Sequence, residues 1–285
     1  MNTSRKVTAA LSLMLLLTAG GCTSSSSSGA EDDEIRVGIR NSEQRTWAYL
    51  QEVAAEEGIQ LELVEFNSSV DPNQILLEGD IDLNAFQHLA YLKTFNENHD
   101  ESIVPIGTTI IAPLGLYSNT ITEINELPDN GKIALPNDSS NWGRALALLE
   151  DAGVIELTDD FNGLGGEDKI KSNPKKIEII AVDAGNTPRA MEDVDAAIIN
   201  NGVAVEAGLS LSDAVIHEDE TAEPYINVIA TLEDRKDDPT FARIVELYQS
   251  EETAAFINET YGGNYLPTSV PLEAIAFYQE MREGE

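Results

Sequence analysis

The chain has 285 residues, with 17 Lys+Arg against 51 Asp+Glu, and a formal net charge of −34 at pH 7. At roughly 100–200 residues per domain, this length holds one large domain or two ordinary ones. A hydrophobic content of 42% supports a real core and excludes global disorder. The charge excludes a nucleic-acid partner, which needs a basic stripe, and a single cysteine excludes intrachain disulfides and Cys-rich metal clusters.

The first 21 residues read as a secretory signal: Arg5 and Lys6 are the basic start, Val7–Leu17 is an apolar stretch, and Ala19, Gly20 and Gly21 lead into Cys22. The stretch is too short for a bilayer core of about 30 Å. Small residues before this cysteine resemble the lipidation box of bacterial lipoproteins, although Ala19 stands where Leu is usual. An ordinary signal with a chance cysteine is the alternative. Residues 22–34 are a Ser-rich and then acidic tether. Losing residues 1–21 would remove two basic residues and no acidic one. The acidic surplus reads as a hydrated, self-repelling surface suited to a saline exterior, where salt screens the repulsion.

The spacing then predicts a strand at Ile35–Ile39, a helix over Trp47–Glu57 and a strand at Ile59–Phe66. A short helix at Pro72–Glu78 ends on Gly79, followed by a strand at Ile81–Phe86 and a helix at Leu89–Phe95. Ile103–Ile111 and Leu114–Ser118 read as extended. Lys132–Leu135 is a strand, Pro136–Asn141 a loop and Gly143–Ala152 a helix. Further strands are expected at Ile177–Val182, Ala196–Asn200 and Ile226–Thr231, with short helices at Thr187–Met191 and Val203–Gly208. Helical segments at Phe241–Gln249, Glu251–Tyr261 and Leu272–Met281 close the chain. This alternation predicts an α/β protein with mostly parallel sheets in two lobes, the second inserted into the first. The expected bounds are 35–117 with 226–285 for lobe 1, and 118–225 for lobe 2. Clefts between domains and the carboxyl ends of strands are the places to look for a small-molecule site.

Enzyme motifs are absent: no G-x-S-x-G elbow, P-loop or H-E-x-x-H. Asp80–Asn84 begins like a calcium loop but has Ala85 where Gly is needed. His88, His99 and His217 lack ligand spacing, so neither a metal site nor a cofactor is expected. Gly163–Gly166 reads as a flexible connection. Two segments stand out. Asp82–Leu92 sets Phe86, His88 and Tyr91 at a strand-to-helix junction, as pocket or as core. Lys132–Leu146 is a strand, a polar capping loop and a helix opening with Arg144, either a surface residue or an anion site at a helix start.

Together these segments resemble the methionine-binding lipoproteins of the NlpA/MetQ type, the substrate-binding components of methionine ABC importers. The likeness runs from about Ile35 to Pro267. It is carried by GDIDLNAFQHLAYL from Gly79, IAPLGLYS from Ile111 and GKIALPNDSSNWGRALALLEDAGVI from Gly131. It continues through NPKKIEII from Asn173, PRAMEDVDAAIINNGVAVEAGL from Pro188, PYINVIA from Pro224 and DDPTFARIVELYQSEETAAFI from Asp237.

The resemblance implies a two-lobed, periplasmic-binding-protein-like (type II) fold closing over an amino acid, with an ABC permease as partner. It implies a monomer on the outer face of the cell membrane, held by a lipid on Cys22. Arg144 would take the ligand carboxylate, Asn200 and Asn227 its polar head, and Phe86, His88 and Tyr91 its side chain. Ser69 stands where the family usually has a pocket Tyr, Ala85 where Tyr is common and Val203 where an aromatic often follows. The loop Gly38–Arg45 is also unlike the family's. Trp47 and Tyr49 are the aromatics that could refill the space at Ser69. The expected cargo is methionine; another hydrophobic amino acid or a methionine-containing dipeptide is the second reading, and a surface hydrolase or a non-transporting surface lipoprotein the remote ones.

Overall fold

The computed structural model describes residues 34–67, 70–219 and 223–283. The expected signal and the tether up to Asp33, with Cys22, lie outside the described residues, as does Ser69. In chain order the strands are β1 (Ile35–Arg40), β2 (Leu61–Phe66), β3 (Leu83–His88), β4 (Ile103–Ile111), β5 (Gly115–Tyr117), β6 (Lys132–Pro136) and β7 (Glu156–Leu157). Then come β8 (Ile170–Ser172), β9 (Glu178–Val182), β10 (Ala196–Ile199), β11 (Ile216–His217), β12 (Ile226–Leu232) and β13 (Leu266–Pro267). The helices are α1 (Gln44–Glu56), α2 (Pro72–Glu78), α3 (Leu89–His99), α4 (Ser139–Asp151) and α5 (Thr187–Ala190). The last four are α6 (Asn201–Glu206), α7 (Pro239–Tyr248), α8 (Glu251–Tyr261) and α9 (Ala276–Glu283).

Two sheets carry the fold within one compact unit that starts at Glu34. The first has the order β13-β4-β12-β3-β1-β2, the second β11-β5-β10-β6-β9. Each is covered on both faces, so its central strands are near-continuous apolar runs. Trp47, Leu50, Phe241 and Ile257 from α1, α7 and α8 pack on one face of the first sheet. Leu76, Leu89 and Leu92 from α2 and α3 cover the other. In the second sheet Ile133 and Leu135 of β6 meet Leu146 and Leu149 of α4, while Ala134 between them faces the opposite cluster with Ala204 of α6.

The sheets are mixed rather than mostly parallel. β1 pairs parallel with β2 and β3, and β6 with β9 and β10. β12 runs antiparallel to β3 and β4, β13 to β4, and β5 to β10 and β11. The reason lies in the crossings. The parallel strands deliver their carboxyl ends to the space between the sheets. A strand by which the chain enters from the other sheet begins in that space and must run away from it; β5 and β12 are those strands. β5 belongs to the second sheet, so the chain has crossed before Gly115, earlier than the expected boundary at 117/118.

Local chemistry sets the helix ends near the crossing. Helix α4 begins at Ser139, four residues before the expected start, because Asp138 caps it by accepting a hydrogen bond from Asn141 N at 2.9 Å. Gly143 is required there: a Cβ would lie 2.1 Å from the Gly163 carbonyl oxygen. The Gly163–Gly166 segment is therefore packed onto α4, not a free connection.

Candidate functional site

A cavity of about 220 Å³ lies between the sheets, lined from both: Arg40 and His88 end strands of the first, while Asn200 follows β10 and Asp138 follows β6 of the second. This is the carboxyl-end position where open α/β sheets place ligands.

His88 closes β3 and opens α3. Its Nδ1 accepts a hydrogen bond from the Tyr91 backbone N–H at 3.0 Å, capping the helix, which leaves the proton on Nε2. Nε2 lies 3.2 Å from Asn141 Oδ1, the same oxygen that accepts from Asn200 Nδ2 at 2.8 Å. Asn141 thus joins the first sheet to the second. Burial, with Arg144 nearby, pushes the His88 pKa down to about 3, so its imidazole is neutral.

Polar residues beside it hold the strand. Asn84 Nδ2 donates to Asn73 Oδ1 at 2.9 Å, and Gln87 Nε2 to the same oxygen at 2.6 Å. All three are almost fully buried. In the segment around Phe86 these amides are framework, freeing Phe86 and His88 for the cavity.

Arg144 is 2% exposed and faces inward. Its Nε donates to Glu218 Oε1 at 2.7 Å, and its Nη2 to Glu218 Oε2 at 2.5 Å and the Ala112 carbonyl at 3.0 Å. The guanidinium carbon lies 4.3 Å from the Tyr225 ring centroid. Among the described residues Nη1 makes no hydrogen bond. Glu218 is itself anchored, accepting from Leu114 N at 2.7 Å. Sequence reasoning missed Glu218 and Tyr225; the latter sat unassigned in PYINVIA, and no spacing signals a partner 74 positions away.

Asn200 uses its amide nitrogen on Asn141, and its Oδ1 is buried without a partner among the described residues. Asn227 lines the same cavity, opposite His88 in the β12–β3 register. Phe86 meets Tyr91 edge-on, centroids 5.8 Å apart, and the Tyr91 hydroxyl donates to Asp71 Oδ2 at 2.8 Å. Burial and Asp71 raise the Tyr91 pKa, so the phenol stays protonated. Ala85 is buried in the core, and Val203 lines the cavity.

Neither Trp47 nor Tyr49 lines this cavity. Trp47 is fully buried against Tyr248, and Tyr49 stacks on Phe256 at 4.4 Å. Arg40 does line it, its guanidinium carbon 5.1 Å from the Phe86 ring centroid. Nearby, Glu43 is 5% exposed at the cavity wall; burial raises its pKa to about 8, against the pull of the Trp47 indole and Arg40. No group of three or more His, Cys, Asp or Glu among the described residues could hold a metal ion. No described helix is long and apolar enough to cross a membrane.

Two α/β lobes with a small polar-and-aromatic cavity at the facing strand ends define a substrate-binding protein of the periplasmic-binding-protein type. The family model described as NlpA lipoprotein matches residues 35–269. The chain is 38% identical over 238 residues to the D-methionine-binding lipoprotein MetQ of Salmonella typhi, covering 82% of this chain and 88% of that one. A nutrient binding protein from Burkholderia cenocepacia, solved bound to methionine, superposes with a TM-score of 0.80 at 39% identity, over 82% of this chain and 99% of that chain. Protein PG110 from Staphylococcus aureus gives 0.84 at 38%, over 87% and 100%. The chain belongs to the NlpA lipoprotein family.

Proposed function

We propose that this protein is an extracytoplasmic receptor that captures a free amino acid, methionine first, and hands it to the permease of an ABC importer. The observation that carries this reading is the cavity's lining: Arg144, whose Nη1 makes no hydrogen bond among the described residues, stands there with Asn200 and Asn227. A zwitterion taken out of water needs its carboxylate paired and its ammonium hydrogen-bonded. In this reading the carboxylate meets Arg144, the ammonium meets Asn200 with Asn227 beside it, and the side chain runs toward Phe86, His88 and Tyr91. A thioether gains about 0.3–1.5 kcal/mol per aromatic contact. The methionine-bound relative supports the cargo.

The protein works without catalysis, as a monomer, anchored through a lipid on Cys22 to the outer face of the membrane. The lobes comprise the first sheet (35–111 and 226–283) and the second (115–217), which close on the ligand because both contact it. Thermal unfolding tests the reading. A hundredfold excess of methionine over Kd adds about 2.7 kcal/mol of stability and raises Tm, with D- and L-forms tested separately. A shift with another amino acid only would retire methionine; no shift with any amino acid or short peptide would retire the receptor.

A further inference from the structure

Arg40 ends β1 at the cavity wall, half-buried. Its Nη1 donates to the Val70 carbonyl at 3.0 Å and to that of Asn67. Among the described residues its Nε and Nη2 make no hydrogen bond and no carboxylate lies within ion-pair distance. The contrast with Arg144 is sharp, since that guanidinium is neutralised by Glu218. Asp71, Asp183 and Glu206 act on Arg40 only from farther off. Asp71 is committed to the Tyr91 hydroxyl and to capping α2, Asp183 to Gly185 N, and Glu206 to Ser42 N. Among the described residues the cation therefore stands over Phe86 with Nε and Nη2 unused, at the wall that Phe86, His88 and Tyr91 also line.

We propose that Arg40 selects the ligand's side chain, favouring amino acids whose tip carries a hydrogen-bond acceptor (thioether, amide or carboxylate) over purely aliphatic ones. This rests on the receptor reading and deepens it. A site whose partly desolvated donors are left unpaired by an aliphatic tip discriminates against that ligand far more than an apolar wall would. The planar, weakly hydrated guanidinium suits this work, and the Phe86 face holds it in place. A cationic tip meets repulsion in the same space.

The experiment is titration calorimetry with L-glutamine, L-methionine and L-norleucine on the wild type and Arg40→Leu. The variant should bind norleucine at least as tightly as the wild type does, which also shows that the cavity is intact. The affinity ratio of glutamine to norleucine should fall at least about tenfold, near 1.4 kcal/mol, and that of methionine to norleucine should fall in the same direction. A glutamine ratio changed by less than tenfold, or norleucine binding lost together with the others, would overturn the proposal while leaving the receptor standing. Failure of the wild type to bind any of the three, or any other amino acid, would remove both.

Discussion

Glu218 grips Arg144 along one edge of its guanidinium, with Nε at 2.7 Å and Nη2 at 2.5 Å, and Nη1 of this cavity-lining side chain makes no hydrogen bond among the described residues. The carboxylate offsets the arginine's charge and fixes its plane; a second carboxylate therefore has only Nη1 to reach. Tyr225 beneath and the Ala112 carbonyl beside it complete the cradle. Four segments meet there: the crossing into the second sheet, the opening turns of α4, the residue after β11, and the turn before β12 that carries Tyr225.

Breaking a buried ion pair from one side leaves the other charge uncompensated, at a cost of about 3–5 kcal/mol. Arg144→Met should lower the unfolding free energy by that order, and urea denaturation reads it. Arg144→Met combined with Glu218→Gln should recover at least about 1 kcal/mol, because the Gln still accepts from Leu114 N without a stranded charge. A double variant no more stable than the single one would show that the pair does not hold this corner.

His88 makes stability fall in acid. Its folded pKa of about 3 lies below the ordinary value of 6.5, so the unfolded chain binds the extra proton first. The contribution is complete above pH 6.5 and is lost as pH drops toward 3, at up to about 1.4 kcal/mol per pH unit. The difference between wild type and His88→Gln isolates it from other titrating groups. That difference should shrink steadily from pH 6.5 to 4; one independent of pH would place the imidazole in water.

Glu43 acts with the opposite sign. Its pKa is raised from 4.5 to about 8, so the folded chain keeps a proton that the unfolded chain releases. The stabilisation present below pH 4.5 is lost progressively as pH rises to 8, at up to about 1.4 kcal/mol per pH unit. Glu43→Gln should remove this slope, leaving a protein more stable than wild type at pH 8 by a few kcal/mol. Melting curves at pH 5 and pH 8 suffice. A variant less stable at pH 8 would mean that the charged carboxylate is well held.

Much of the framework is legible because it is periodic and locally punctuated. Helix α8 has the bounds its pattern gives, and Gly79 ends α2 as expected, in a left-handed turn. The start of α4 is harder to see because Ser139, Ser140 and Asn141 look like loop, yet Asp138 makes them a first turn. Of the candidate residues, Arg144, Asn200, Asn227, Phe86, His88 and Tyr91 line one cavity. Partners set by the closure of two sheets leave no such mark. Glu218 reaches Arg144 across 74 positions, and Asn141 bridges His88 and Asn200 although a capping role alone accounts for it in sequence. Trp47 and Tyr49 are aromatics of the right type for a pocket, but α1 turns both into contacts with α7 and α8.

The role of the inward arginine is tested most directly by titrating the protein with methionine and, in parallel, with methioninamide, which lacks only the carboxylate charge. Methionine is expected to bind one to one, and the amide at least about a hundredfold more weakly, near 2.7 kcal/mol. Equal affinities for the two would contradict a carboxylate held at Arg144.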